Sequence, residues 1–306
     1  MRANLLHVVA CISNPIRWNS RISLAKKFIQ HMLDSGVKLT LVECAYGDRP
    51  FDLAGIEGVN HVGVRAKSVV WIKENLLNIG VSRLPPDWKY VAFIDADIIF
   101  RRPNWAAETV HALQQYDVVQ PWSDCYDLGP NDDHLQAHHS FGKLVQQGEP
   151  IQFGKGNYKF GHPGFAWAFT RTALEWVGGL IDTAALGAAD HHMAGALIGK
   201  AVNTFPGGIN TSYARHIYQW QQRAQSHGIT LSYVPGTIEH GWHGPKALRK
   251  YVDRWGILVK HDFNPDTDLK RNIWGVYELA GNKPELAHDI DLYMRGRDED
   301  SNSLSV

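Results

Sequence analysis

Along the first hundred residues the apolar positions change period block by block, from continuous strand-like runs to stripes three and four residues apart. This alternation predicts strands and helices in turn around a mostly parallel sheet. Residues 5–12 form an apolar run that stops at Ser13-Asn14-Pro15, and residues 20–35 carry a helical stripe closed by Gly36. Residues 38–43, 60–64 and 90–94 read as further strands, with a helix over 68–78 closed by Gly80. Downstream, helices are expected at 105–115, 170–177, 190–198 and 211–226, and short strands at 117–120, 165–169, 230–233 and 237–239. A basic helix is expected at 246–255. The stretch 121–161 is rich in Gly, Pro, Asp and His and reads as a long irregular loop of the kind that forms lids or binding loops. The polar, mixed tail from Phe263 reads as an extension that either packs on the domain or stays partly disordered.

Composition narrows the picture. At 306 residues and 44% hydrophobic content the chain can bury a large core. Lys+Arg and Asp+Glu both total 31, so no global field draws it to nucleic acid or membrane, and a polyanionic partner must be met by a local patch. Cys11, Cys44 and Cys125 cannot all pair and show no metal spacing, which points to a reducing cytoplasm. The N-terminal apolar run is short for a signal peptide and no run of about 18 apolar residues follows, so no membrane span is expected. Eleven Trp and 16 His are many for this length; such an excess either lines polar clefts or simply packs.

The most informative segment is Tyr90-Val91-Ala92-Phe93-Ile94-Asp95-Ala96-Asp97. Asp95 and Asp97 lie two apart, so in extended chain both leave on one side of a strand tip and can share a divalent cation. Hard oxygen ligands suit Mg²⁺ or Mn²⁺, and such an ion commonly holds a diphosphate. The alternative is that the triplet only caps the next turn. In open α/β sheets ligands sit beyond the carboxyl ends of the strands, which gathers Ser13, Asn14, Glu43, Asp95 and Asp97 on one rim. Two later segments also concentrate chemistry: 161–192, with Gly161-His162-Pro163-Gly164, Gly178-Gly179 and Asp190-His191-His192, and 236–246, with His240, His243 and Lys246.

The Asp95-Ala96-Asp97 triplet resembles the Asp-X-Asp motif of GT-A-fold glycosyltransferases, and the chain is similar to that family over about residues 5–255. The resemblance implies an α/β, GT-A (Rossmann-like) domain at 1–260, with a nucleotide-binding half at about 1–120, an acceptor-side half at 121–260, and an extension at 261–306. It implies a nucleotide-sugar donor, UDP-glucose or similar, and Mn²⁺ or Mg²⁺ held by Asp95 and Asp97 with His240, or its rival His243, completing the shell. Imidazole in an oxygen-rich site favours Mn²⁺. Asp190 stands where the family keeps the second acidic residue of its X-Glu-Asp motif, although Ala189 replaces the first. It would be the general base of an inverting transfer, since an alcohol attacks well only as its proton is removed. An N-cap role for Asp190, or a base or orienting role for His191 or His192, is the alternative. Ser13, Asn14, Arg17 and Glu43 resemble the family's base and ribose contacts, Arg65 and Lys73 are candidates for uracil or phosphate, and Lys246 for phosphate. Arg249, Lys250 and Arg254 extend a cationic wall or form a solvated helix face.

Residues 105–130, His240-Gly241-Trp242-His243-Gly244 and the run from Arg254 resemble soluble, phage-type transferases that glucosylate hydroxymethylated pyrimidines in DNA, including the base J type. That resemblance implies DNA carrying a hydroxymethylpyrimidine as acceptor, in a host cytoplasm, with the base extruded and read by stacking. Trp122, Tyr126, Trp242 and His162 would contact it, and Lys246, Arg249 and Lys250 would form a positive strip. Transfer to a saccharide or protein, or a non-catalytic nucleotide-sugar or glycan-binding module, are the alternatives.

Overall fold

The computed structural model describes residues 3–154 and 160–304. Its first half is β1 (Leu6–Ser13), α1 (Asn19–Asp34), β2 (Lys38–Tyr46), β3 (Val59–Ala66), α2 (Lys73–Val81) and β4 (Tyr90–Ile94). Next come β5 (Ile98–Phe100), α3 (Trp105–Ala112), β6 (Val118–Gln120), β7 (Asp124–Leu128), β8 (His134–His139), α4 (Phe141–Gln146) and β9 (Ala166–Thr170). The chain continues through α5 (Arg171–Val177), α6 (Ala189–Leu197), α7 (Thr211–Ser226), β10 (Leu231–Tyr233), β11 (Thr237–His240) and α8 (Trp255–Lys260). It ends in α9 (Pro265–Asp268), β12 (Leu269–Arg271), β13 (Tyr277–Leu279) and α10 (Pro284–Arg295).

The main sheet has seven strands in the order β10-β6-β9-β4-β1-β2-β3. β1 runs parallel to β2 and β4, β2 to β3, and β10 to β6, while β9 alone among them is antiparallel, to both β4 and β6. The fold is therefore the expected α/β class, a mostly parallel sheet flanked by helices. Successive side chains of a strand leave on opposite faces. Accordingly Val8 and Ala10 join a core with Phe28 and Met32 of α1 and Trp105 of α3, whereas Val9 joins one with Leu76 of α2, Val177 of α5 and Trp220 of α7. Burial on both faces is why β1 reads as an unbroken apolar run rather than an alternating one.

Three expectations change. The stretch 121–161 is not irregular: it holds β7, β8 and α4, with residues 155–159 outside the described residues. β7 and β8 pair with each other and join β5 and β11 in a second sheet, order β5-β11-β7-β8. The helix expected at 68–78 starts at Lys73 and contains Gly80 rather than ending on it; a Cβ there would run into Val9 and Val42, so the glycine serves close helix–sheet packing. The helix expected at 246–255 is a single 3₁₀ turn, Lys246–Arg249, after which Lys250 takes φ 44° and α8 begins at Trp255. Of the two alternatives for the polar tail, the structure shows the packed one: it forms α9, the β12–β13 hairpin and α10, whose Leu286, Ile290 and Met294 are buried at helical spacing.

Candidate active site

The second sheet positions the first cluster. After β4 the chain makes a tight turn, with Ile98 N–H donating to Asp95 O at 3.2 Å, and enters β5, which pairs antiparallel with β11 so that Ile98 lies opposite His240. Gly241 N–H then donates to Asp97 O at 2.9 Å, locking the residue after His240 onto the backbone of Asp97. On its other side β11 runs parallel to β7, which sets Asp127 opposite His240.

Among the described residues, Asp97, His240 and His243 present ligand atoms within 4.8 Å of one another. Asp97 Oδ2 is 3.6 Å from His240 Nε2 and 3.3 Å from His243 Nε2, and the two Nε2 atoms are 3.2 Å apart. Each imidazole has a carboxylate at its other nitrogen: Asp127 Oδ1 is 2.7 Å from His240 Nδ1, and Glu299 Oε2 is 3.5 Å from His243 Nδ1. A carboxylate behind Nδ1 fixes the tautomer that turns the Nε2 lone pair toward a cation. Asp97 Oδ1 is buried and has no hydrogen-bond partner. One carboxylate with a free oxygen and two carboxylate-backed imidazoles fit a divalent ion of the Mn²⁺ type.

The electrostatics match. Burial raises the Asp97 carboxyl, but His240, His243 and Arg249 outweigh it and hold it well below the usual range. Burial lowers His240, yet the flanking Asp97 and Asp127 carry it up to about 9, whereas burial and Arg249 lower His243 to about 4. In Asp127 the cost of burial is overcome by His138, His240 and Lys246, all of which it contacts.

Asp97, Asp127, His240 and His243 line a cleft of about 750 Å³ that is also lined by Lys73, Glu74, Asp95 and Asp190. Lys73 Nζ donates to Asp95 Oδ1 at 3.0 Å and lies 3.7 Å from Glu74 Oε1. Burial raises the carboxyls of Asp95 and of Glu74, the latter to about 7, against the pull of Lys73. Asp190 is the second residue of α6; its Oδ1 accepts from His191 N–H at 2.8 Å. Burial raises its carboxyl too, but Lys73 and His162 bring it below the usual value. A Cβ on Gly164 would sit 2.9 Å from both Asp190 Oδ2 and His162 Cε1, so the glycine is what admits both side chains. His162 stacks on Phe165 at 4.0 Å between ring centroids, and burial holds it near 3.

The other sequence expectations fare unevenly. Asp95 is not in the three-residue cluster: the turn begins at Asp95, so the strand alternation that would align it with Asp97 has ended, and Lys73 takes its Oδ1. Ser13 lines the cleft, its hydroxyl 2.8 Å from Tyr46 OH. Asn14 instead closes its own turn with Trp18, and Arg17 is exposed at φ 71°. Glu43 is buried within β2, which runs on to Tyr46, and it accepts from Asp52 and Leu53 N–H and pairs with His61. Arg65 donates to the Gly47 and Arg49 carbonyls. Trp122 is fully buried in the core, packed on Phe165, and offers no face for stacking. Tyr126 stacks on His134 and Trp242 Nε1 donates to Ser301 O at 2.8 Å. Lys246 lines the cleft with its ammonium on Asp127, Arg249 is 4% exposed, bonded to Tyr251 OH and Gly244 O, and of the three cations expected in the strip Lys250 is the exposed one. Sequence reasoning missed Arg21, Glu74, Asp127 and Glu299. Only Glu74 left a signal, beside Lys73 in one predicted helix.

No family model matches the chain and no curated protein matches it. Among solved structures it is similar to the catalytic domain of Drosophila beta1,4-galactosyltransferase 7 in complex with xylobiose, at 11% identity and a TM-score of 0.42 over 92% of this chain and 96% of that one. It is similar to S. aureus TarS 1-349 at 11% identity and a TM-score of 0.39, over 79% and 60% of the two chains. It is also similar to the inositol-1-phosphate CTP transferase from T. maritima at 10% and 0.40, over 78% and 89%. Likeness at this level carries no argument about activity, and the functional reading rests on the residues of the site.

Proposed function

We propose that the protein is a metal-dependent glycosyltransferase that moves a sugar from a nucleotide-diphospho-sugar, such as UDP-glucose, to a hydroxyl acceptor. The observation that carries this reading is the shared cleft: the converging Asp97, His240 and His243 and the ionised Asp190 line one and the same cavity. A divalent ion on the three converging residues, Mn²⁺ above Mg²⁺, would neutralise the leaving diphosphate. Arg21, Lys246 and Arg249 add cationic lining to the cleft. Asp190 Oδ2 would accept the proton of the acceptor hydroxyl as its oxygen bonds to the sugar carbon and the sugar–phosphate bond breaks, the diphosphate leaving with the electron pair. Attack from the side opposite the diphosphate inverts the anomeric centre. Two imidazoles and one carboxylate also suit Fe²⁺ chemistry; the carboxylate base in the same cleft favours group transfer.

For the acceptor, hydroxymethylated DNA remains the finer reading from sequence, but Trp122, Lys246 and Arg249 do not support it, being buried or neutralised by neighbours. A neutral hydroxyl compound suits the carboxylate-rich cleft better. The test incubates the protein with candidate nucleotide-sugars, Mn²⁺ or chelator, and a panel of hydroxymethylated DNA, oligosaccharides and peptides, read by mass spectrometry. Metal-dependent mass gain on one acceptor supports the reading. Transfer undiminished in excess chelator refutes metal dependence, and neither donor hydrolysis nor transfer across the panel returns the chain to a binding module.

A further inference from the structure

Past α10, the chain reaches the cleft, where Arg297 and Glu299 join its lining, and its residues are held by the start of α1 and by the segment after β11. Asp300 accepts from Ser20 N–H at 2.8 Å and Asn19 N–H at 2.9 Å, capping α1, whose own preceding residue Trp18 makes no capping bond. Glu299, with no exposed surface, accepts from Arg21 at 2.5 and 2.8 Å and from Arg297 Nε at 2.6 Å, and its Oε2 lies 3.5 Å from His243 Nδ1. Ser301 O accepts from Trp242 Nε1. The segment passes so close to Gly244 that a Cβ there would lie 2.5 Å from Asp298 O and 2.8 Å from Glu299 Cα. The backbone on both sides of His243 is thus shaped to receive this segment.

We infer that residues 297–301 form a strap that completes the metal centre, with Glu299 as the positioning residue of His243. Asp127 holds His240 from within the second sheet; His243 lies beyond β11, and no strand neighbour can do the same for it. Glu299 supplies the missing partner from the far end of the chain. Its carboxylate lies 3.5 Å from Nδ1, a buried nitrogen with no hydrogen bond of its own, and its charge favours the proton on Nδ1, leaving Nε2 as the atom that faces Asp97. Metal affinity then depends on a residue that touches neither metal nor substrate.

This inference rests on the metal reading above, and calorimetric titration of the full chain with Mn²⁺ alone separates the two. The intact protein should bind one ion and Asp97→Asn should not; failure of the intact protein to bind would remove the metal reading itself. With binding established, Glu299→Gln should weaken Mn²⁺ affinity by about tenfold or more, and unchanged affinity in the folded variant would overturn the strap. If Glu299→Gln does not fold, Asp300→Ala decides, because it loosens the strap while leaving every Glu299 contact in place. A loss of about threefold or more in a variant that stays folded, its metal-free melting temperature lowered only as the lost cap of α1 requires, supports the strap, and affinity equal to that of the intact protein overturns it.

Discussion

Around the two histidines, Asp97, Asp127 and Glu299 meet several imidazole, ammonium and guanidinium groups; elsewhere in the cleft Glu74, Asp95 and Asp190 share one ammonium, that of Lys73. Burial penalises all six carboxylates alike. The cations decide the outcome. Where they are plentiful the carboxylates stay firmly ionised, as a ligand or a histidine orienter must. Where one cation serves three, Asp190 remains low while Asp95 and Glu74 are pushed up. Two groups built from the same residue types therefore suit different work, one holding a cation and the other taking a proton.

Asp97→Asn should break the first group outright. Mn²⁺ binding by calorimetry should disappear and turnover fall by about 10³-fold or more, with the melting temperature of the metal-free protein kept; binding within twofold of the original would dismiss Asp97 as a ligand. Asp190→Asn should break the second group alone, lowering turnover by about 10²-fold while Mn²⁺ affinity stays unchanged. A parallel loss of metal affinity would mean the two groups are not separable.

Acid should test the buried imidazoles. Burial holds His162 near 3, His191 and His243 near 4, and His192 far below the usual value. In the unfolded chain each takes a proton near 6.5, which the fold refuses, so the stabilisation is present above 6.5 and lost as pH falls below it, by about 1.4 kcal/mol per pH unit for each histidine. Urea melts of the metal-free protein at pH 7 and 5.5 measure this; equal stabilities would contradict neutral burial. Glu74 runs the other way. It deprotonates near 4.5 unfolded and near 7 folded, so its stabilisation is present below 4.5 and lost as pH rises to 7. Glu74→Gln should therefore be more stable than the parent at pH 8 by about 1 kcal/mol, with the gap closing toward pH 4.5. A variant less stable at pH 8 would mean Lys73 depends on that carboxylate.

Sequence pattern disclosed the regions where apolar periodicity is intact. α7 has the expected bounds, and the tips of β4 and β11, bearing Asp97 and His240, were located because buried strands end abruptly in polar residues. The second sheet was hidden because its buried face is itself polar: β7 buries Asp127 beside Cys125, and β8 is His134–His139 with only His138 buried. No hydrophobic count detects a strand whose inward residues are polar and paired with one another. Glu43 was misplaced because β2 runs three residues past it. Arg249 and Arg254 looked like a solvated helix face because charge in sequence does not announce burial. Glu299 was beyond reach, since Arg21 lies at the opposite end of the chain and His243 in a distant segment.

The Arg21–Glu299 pair joins residues 278 apart in sequence. Closing so long a loop costs chain entropy that no local contact offsets in advance, although the cost grows only as the logarithm of its length. The contact is expected late in folding, after the sheet that ends at His240 has formed. A newly made chain would thus hold a finished sheet, an ordered Asp97 and a capped α7 while α1 still lacked the cap from Asp300. Its ability to bind a cation tightly would appear as a distinct, slower kinetic phase, trailing the recovery of secondary structure when the denatured protein is diluted into buffer.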